Sequence, residues 1–234
     1  MPLLPELMHT LTAIKVICHS GDDLADHLPR WEAFIRSSAD GSPSRHPAWL
    51  AVLRRGLKHK PLCIEAVAEQ QTVGLLPLAL VSGRIFGRFL VSLPYLNTGG
   101  VVAAGRDVAC QLIDEAVKLA DAWDVRYLEL RHEHPVDHPA LRDALTSKYH
   151  MRLALPAAAD ELWKSFDPKV RNQIRKAEKC GLTVAWGGAD LLPKFYRVFA
   201  HNMRDLGTPV FPVSLFRSVV ETFPGDAEVC VVSL

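Results

Sequence analysis

Residues 162–184 read LWKSFDPKVRNQIRKAEKCGLTV, and residues 195–212 read FYRVFAHNMRDLGTPVFP. The first stretch predicts a short helix, because Asp167 is a favourable N-cap and Pro168 a favourable first helical residue. Gly181 then favours a left-handed end to that helix. The second stretch predicts an aromatic helix followed by a loop rich in Gly, Thr and Pro. These two helices and the loop after them are the starting point for predicting the rest of the fold.

The predicted helix over 168–180 is strongly basic. Its apolar residues recur at spacings of four and three, which forms one stripe: Val170, Ile174 and Ala177. The polar surface consists of Lys169, Arg171, Asn172, Arg175, Lys176 and Lys179. Arg can hold a phosphate through two parallel hydrogen bonds, and Lys adds positive charge. The helix is therefore a candidate contact for an anionic substrate, although a solvated helix surface explains the same pattern.

Length, net charge and cysteine content limit the classes to which the protein can belong. A chain of 234 residues has room for one large or two small domains, and its net charge of +1 means that attraction to a polyanion must be local. The five cysteines form no CxxC pair, which argues against a disulfide framework or a structural zinc site and fits a reducing compartment. There is no signal peptide and no apolar run of membrane-spanning length, so the sequence predicts a cytoplasmic protein.

The first half of the chain alternates strands and helices. The predicted strands and helices lie, in chain order, at 13–18 (strand), 22–35 and 46–57 (helices), 61–68, 72–81 and 86–93 (strands), 106–123 (helix) and 125–131 (strand). The strands at 61–68 and 72–81 are nearly continuous apolar runs, as expected for strands buried on both faces. We predict an α/β domain over residues 12–135, with a mixed central sheet flanked by helices.

Residues 132–140 read HEHPVDHPA and predict the start of a linker, placed at 136–150. His132, His134 and His138, together with Glu133 and Asp137, have the right chemistry for a metal site, but their spacing is irregular and no thiolate lies nearby in the sequence. We predict solvated histidines and no metal.

Residues 151–234 predict a second unit. Its elements are strands at 151–155, 182–186 and 228–234, and helices at 162–166, 168–180, 190–206 and 213–222. We expect Asp190 to cap the helix over 190–206 and Leu206 to face inward. This order opens as the first unit does and then stops at an apolar strand without an evident partner. We therefore expect a truncated second unit and a chain that is a fragment of a longer protein.

The quoted stretches resemble the FemAB-like proteins, in particular those associated with the exosortase/PEP-CTERM system of exopolysaccharide-producing bacteria. The resemblance is sharpest between Trp163 and Phe216 and rests on the strings RNQIRKAEK and NMRDLGTP. The order of strands and helices in the first unit also resembles that of the GNAT acyltransferase superfamily. The resemblance implies two GNAT-like domains in tandem. It also implies transfer of an acyl or aminoacyl group to an amine, as in Fem ligases that build peptidoglycan cross-bridges from aminoacyl-tRNA.

The expected substrate contacts follow from the basic helix and from two loops. They are Lys169, Arg171, Asn172, Arg175, Lys176, Tyr95, Asn97, Asn202, Arg204 and Thr208. For Asn202, Arg204 and Thr208, helix capping and loop rigidity are the favoured explanation. For Tyr95 and Asn97, a turn motif explains the sequence equally well. Glu65 and Glu129 lie within strands and would be suited to act as bases if they were buried, but exposure at a sheet edge is the commoner explanation. No catalytic residue is assigned.

The resemblance also bears on the donor. Acyl-CoA enzymes of this fold use a Gly-rich loop before a helix, whereas residues 99–109 read GGVVAAGRDVA and lack its spacing; Gly105 and Arg106 keep only the position at the helix start. We expect no permanently bound cofactor and either aminoacyl-tRNA or acyl-CoA as the donor. The expected partners are an anionic small-molecule or carrier-linked substrate and tRNA.

Two other hypotheses come from other classes. In the first, the chain is a non-catalytic module that binds an anionic glycan or nucleic acid through the basic helix. In the second, it is an incomplete chain that does not act alone. An unpaired apolar strand at 228–234 would support the latter, since such an edge invites pairing with another chain.

Overall fold

The computed structural model describes residues 13–39, 41–83, 86–141, 149 and 151–234. The chain divides into two compact units, Met1–Asp143 and Ala144–Leu234.

The first unit follows the predicted order of elements. Its strands are β1 (Lys15–Ser20), β2 (Lys60–Ala68), β3 (Gln71–Gly83), β4 (Gly87–Val91), β5 (Val102–Ala103) and β6 (Tyr127–Glu129). Its helices are α1 (Leu24–Ser37), α2 (Trp49–Leu57) and α3 (Arg106–Ala122). The short strand β5 and a 3-10 helix at Pro43–Arg45 were not predicted from the sequence.

The strands of the first unit form one mixed sheet in the order β1-β2-β3-β4-β6, with β5 paired to β3. All neighbours are antiparallel except β4 and β6, which are parallel from Phe89 opposite Tyr127 to Val91 opposite Glu129. The predicted class, an α/β fold with a mixed central sheet flanked by helices, is confirmed.

The sheet is buried on both faces, as the apolar runs of β2 and β3 predicted. Helix α3 covers one face through Leu112 and Ile113, which pack with Ile64 and other side chains of β2 and β3. Helices α1 and α2 cover the other face, where Trp31 is fully buried beside Leu50. Because both faces of the strands are covered, their side chains need not alternate between apolar and polar.

The histidines of 132–140 are not all solvated, which corrects the sequence-based expectation. His138 is only 6% exposed, and its Nε2 atom lies 3.2 Å from Oδ1 of Asp114 in α3. Val136 and Leu141 pack against the α3 core. The start of the predicted linker is thus held against the first unit by apolar packing and one polar contact, whereas residues 142–148 and 150 lie outside the described residues.

The second unit contains four helices and two strands among its described residues. They are α4 (Ala159–Ser165), α5 (Pro168–Lys179), β7 (Thr183–Gly187), α6 (Leu192–Asp205), α7 (Val213–Thr222) and β8 (Val229–Ser233). Leu192 of α6 is buried against Val229 and Val231 of β8, with aromatic side chains of α6 and α7 packed around them.

Four expectations for this unit are wrong. The strand predicted at 151–155 is irregular chain with exposed side chains, since none of the described strands pairs with it. Strand β8 is paired: it runs antiparallel to β7, from Thr183 opposite Ser233 to Gly187 opposite Val229. Leu206 points outward and is 65% exposed, because the helix ends at Asp205. The Asp190 carboxylate does not cap α6, since it accepts the Gly188 N–H instead, at 2.9 Å.

Candidate functional site

A polar surface lies at the carboxyl ends of β4 and β6, the one parallel pair among the described strands of the first sheet. We call it the β4–β6 edge; it comprises the loop of residues 92–100 and the side chains of Glu129 and Arg131. In α/β sheets the crevice beyond the carboxyl ends of parallel strands is the usual place for a ligand.

Arg131 holds the loop at the β4–β6 edge through three of its groups. Its N–H donates to Ser92 Oγ at 2.7 Å, and its C=O accepts the N–H groups of Gly99 and Gly100 at 3.0 and 3.1 Å. Its guanidinium donates to the Leu96 carbonyl at 2.6 Å. The loop therefore has one defined shape, fixed mainly by backbone groups and a single arginine.

Tyr95 sits in that loop in a left-handed conformation with φ of 73°, and Leu93 is left-handed as well, at 41°. Such angles are strained for bulky residues and persist only where the surroundings enforce them. The Tyr95 ring stacks on His59 at a centroid distance of 5.6 Å, and its hydroxyl lies 2.8 Å from His59 Nε2. Burial lowers the pKa of His59 and raises the pKa of Tyr95, so both are neutral near pH 7.

Behind the loop lies a buried polar layer. Thr98 contacts Ser44 through its hydroxyl at 2.6 Å, and the buried Arg45 lies 3.8 Å from the Glu133 carboxylate. His132 packs against Gly100, and burial together with the charge of Arg45 lowers its pKa to about 4. This layer supports the loop from below.

Glu65 is fully buried, which corrects the expectation of an exposed edge carboxylate. It accepts hydrogen bonds from Arg30 Nε at 2.9 Å and Thr72 Oγ1 at 2.6 Å, and His19 Nε2 lies 2.9 Å away. Burial alone raises the pKa of Glu65, but the hydrogen bonds from Arg30 and Thr72 outweigh it and lower that pKa. Glu65 is thus a saturated carboxylate that ties α1 to the sheet. Glu129 is also held, since Arg131 Nε donates to it at 2.7 Å.

The predicted substrate contacts of the basic helix lie together on α5. Asp167 caps the helix as predicted, since its carboxylate accepts the Lys169 N–H at 2.7 Å. Arg175 lies 5.4 Å above the Trp163 ring and donates to Asn172 Oδ1 at 3.4 Å. The predicted apolar stripe is not a buried one, because α5 contributes no buried side chain.

The cations of α5 have no acidic partner in the part of the chain that the structure describes. They are Lys169, Arg171, Arg175, Lys176 and Lys179. Within the described part of the chain, none of them forms an ion pair with a carboxylate. An anion that approached α5 would therefore not have to displace an internal partner.

The other predicted contacts lie elsewhere. At the end of α6, the Asn202 carbonyl accepts the Leu206 N–H at 3.0 Å, and the Thr208 N–H donates to the Met203 carbonyl at 2.9 Å. Arg204 contacts His201 and Asp205. These are helix-end interactions of the kind that the capping interpretation requires. Tyr95 and Asn97 belong to the first unit, where Asn97 is exposed at the β4–β6 edge.

Sequence reasoning missed His59 and Arg131. Each contacts the loop of residues 92–100 from more than thirty positions away along the chain, and neither lies in a recognisable motif. Among the described residues, no three His, Cys, Asp or Glu side chains are grouped so as to hold a metal ion. None of the described helices has the length and apolarity needed to cross a membrane.

Comparison with known proteins adds family information. Residues 132–234 match the FemAB family model, a range that contains the motifs on which the predicted resemblance rests, and this supports a FemAB-like relationship. None of the curated proteins compared with the sequence matches it. The crystal structure of FemX is 17% identical with a TM-score of 0.57, and the alignment covers 93% of this chain and 57% of the FemX chain. At that identity the likeness shows a shared fold, and the chain spans 57% of the length of FemX.

Two acetyltransferase structures resemble parts of the chain more weakly. One is a ribosomal-protein-alanine N-acetyltransferase from Brucella melitensis biovar Abortus 2308, 14% identical with a TM-score of 0.38, covering 60% of this chain and 99% of its own. The other is described as a probable acetyltransferase, also 14% identical, with a TM-score of 0.36 and coverages of 61% and 99%.

Proposed function

We propose that this protein is a FemAB-like transferase that moves an acyl or aminoacyl group to an amine of a cell-envelope or exopolysaccharide precursor. The family match over residues 132–234 and the fold shared with FemX support the proposal. Association with an exosortase/PEP-CTERM system and a cytoplasmic location belong to the same proposal. So does the division into domains at 12–135 and 151–234, joined by a linker at 136–150.

The observation that carries the proposal is the set of five cations on α5 that have no carboxylate partner among the described residues. Precursors of the cell envelope are commonly linked to a nucleotide or to a phosphorylated carrier, and tRNA is itself a polyanion. Arg171 and Arg175 are one helical turn apart, which suits two-point contact with phosphate oxygens. Lys169, Asn172 and Lys176 extend the same contact surface.

The chemistry requires no covalent intermediate with the protein. An amine attacks the ester or thioester carbonyl of the donor, and the protein positions both partners and stabilises the oxyanion that forms. The donor is either aminoacyl-tRNA or acyl-CoA, neither of which is a permanently bound cofactor.

The test removes charge from α5 without removing the stems of the side chains. We expect Arg171→Gln with Arg175→Gln to weaken binding of a nucleotide-linked muropeptide about tenfold or more, since two charged hydrogen-bond donors are lost. The control is Lys194→Gln with Arg197→Gln, which makes the same change of charge on exposed positions of α6. Equal affinity of both double variants and the unchanged protein would refute a role for α5.

The same cations favour a second candidate function, a module that binds an anionic glycan or nucleic acid without turnover. Such binding would fall steeply with salt concentration because counterions are released. Measured turnover of an amine acceptor would exclude this candidate, and salt-sensitive binding without turnover would support it.

A further inference from the structure

We propose that His59 and Tyr95 form the proton-accepting pair for the attacking amine, with Tyr95 as the catalytic residue that touches the amine and His59 as the final acceptor. This inference rests on the proposed transferase function and deepens it by assigning a base.

The backbone at Tyr95 has an uncommon conformation and leaves the side chain partly exposed. A left-handed Tyr is a rare conformation, and Leu93 two residues earlier is left-handed as well. Arg131 enforces this shape through the carbonyl of Leu96 and the N–H groups of Gly99 and Gly100. Strained residues that the surroundings enforce are concentrated at functional sites. Here the result is a Tyr95 ring that is 45% exposed at the carboxyl end of β4.

The pair has the chemistry of a proton relay. The Tyr95 hydroxyl and His59 Nε2 are 2.8 Å apart, a hydrogen-bond distance, and the imidazole is neutral near pH 7 because burial disfavours its charged form. Helix α2 fixes the other end of the relay: Lys58 is left-handed, and the His59 N–H donates to the Leu53 carbonyl at 3.2 Å. The acceptor nitrogen is therefore positioned by backbone geometry on one side and by the phenol on the other.

The other bases near the sheet are less suited to the task. Glu65 has no exposed surface and already accepts hydrogen bonds from Arg30 and Thr72. The Glu129 carboxylate is paired with Arg131. His132 Nε2 is buried behind Gly100, out of reach of a substrate amine.

The reaction forms one bond, breaks one bond and moves one proton from the amine to the leaving group. The amine nitrogen forms a bond to the donor carbonyl carbon, and one of its protons passes to the Tyr95 oxygen as the Tyr95 proton passes to His59 Nε2. Collapse of the tetrahedral intermediate breaks the bond between carbonyl carbon and the leaving oxygen or sulfur. The leaving group then takes the proton back from the imidazolium by the reverse route, which returns Tyr95 and His59 to their neutral forms.

The test measures transfer from charged tRNA and from acetyl-CoA to a nucleotide-linked muropeptide that bears a lysine amine, between pH 5 and 9. We expect Tyr95→Phe and His59→Gln each to lower the rate about 100-fold. In the unchanged protein the rate should fall as the pH drops through the His59 pKa, and this limb should be absent in His59→Gln. The control is Tyr127→Phe, since Tyr127 is also 45% exposed on the same sheet but stacks on Phe89.

Nitrogen NMR of the His59 ring keeps the test independent of folding defects. We expect a neutral ring protonated on Nδ1, with Nε2 accepting from Tyr95, and a change of the Nε2 signal in Tyr95→Phe. A ring protonated on Nε2 would overturn the relay. Transfer by the unchanged protein with an unaffected rate in Tyr95→Phe would also overturn it while the transferase function stood. Absence of transfer from either donor would overturn the function and the relay with it.

Discussion

Gly100, in the loop at the β4–β6 edge, packs closely against His132. A methyl group added there would come within 2.3 Å of His132 Cδ2 and 3.0 Å of the His132 backbone. We expect Gly100→Ala to lower the free energy of unfolding by about 1–3 kcal/mol, because the backbone of one segment must move.

Gly105→Ala is the matched control, since no atom lies within 4 Å of a methyl group there. Urea unfolding of both variants checks the prediction. Equal midpoints for the two variants would show that the loop can shift freely away from His132.

His132 gives the first unit a defined sensitivity to acid. Its folded pKa is about 4 against an ordinary value of 6.5, so between these values the unfolded chain binds the additional proton. Stability should therefore decrease as the pH falls from 6.5 toward 4 and should not change through this residue above 6.5. We expect His132→Gln to unfold with a smaller difference between pH 7 and pH 5 than the unchanged protein. His19, whose pKa burial also lowers, keeps some of the slope. An identical difference in both proteins would contradict the assignment to His132.

Glu65 is the second residue on which the first unit depends. Glu65→Gln removes the charge that Arg30 and Thr72 satisfy, and it leaves a donor facing donors inside the protein. We expect a loss of about 1–3 kcal/mol in the free energy of unfolding. Glu161→Gln, at an exposed position of α4, should cost almost nothing. Comparable losses in the two variants, measured by urea unfolding at pH 7, would argue against a supporting role for Glu65.

Single residues were predictable from sequence where the cause was local. Asp167 and Gly181 were placed correctly because a cap and a left-handed helix end depend on neighbours within a few positions. Tyr95 was predicted as a substrate contact from its place after a core strand. Its partner His59 and its support Arg131 were not, since contacts across 36 residues leave no periodic signal.

At the scale of elements, α5 offers the sharpest test of capping. Asp167 accepts the Lys169 N–H at 2.7 Å, so Asp167→Ala should destabilise the first turn of α5 by about 1 kcal/mol. Glu178→Ala, on the same helix but away from its N-terminus, serves as the control. Hydrogen exchange of the Lys169 amide should accelerate about fivefold in Asp167→Ala and not in Glu178→Ala. Equal protection in both variants would mean that the cap is not formed in solution.

Elements were predictable in proportion to their periodicity. Helix α7 has the predicted bounds, Val213–Thr222, because its apolar spacing is regular. The predicted strand at 151–155 failed because alternation alone provides no neighbour for hydrogen bonding. The pairing of β8 with β7 was not predicted. Strand β7 lies about fifty residues earlier, and a local sequence pattern carries no information on pairing over that separation.

For the whole molecule, the distribution of charge over the surface matters more for anion binding than the net charge does. A net charge of +1 predicts no general attraction to a polyanion, yet α5 carries five cations without carboxylate partners among the described residues. Any binding of an anion should therefore depend on α5 and not on the surface as a whole.

The measurement that tests the central claim most directly is a titration of the protein with charged tRNA, uncharged tRNA and acetyl-CoA at two salt concentrations. The transferase account predicts that one activated donor binds, that its unactivated form binds more weakly, and that Arg171→Gln with Arg175→Gln reduces the affinity of an anionic ligand. Binding of none of these donors would contradict the account.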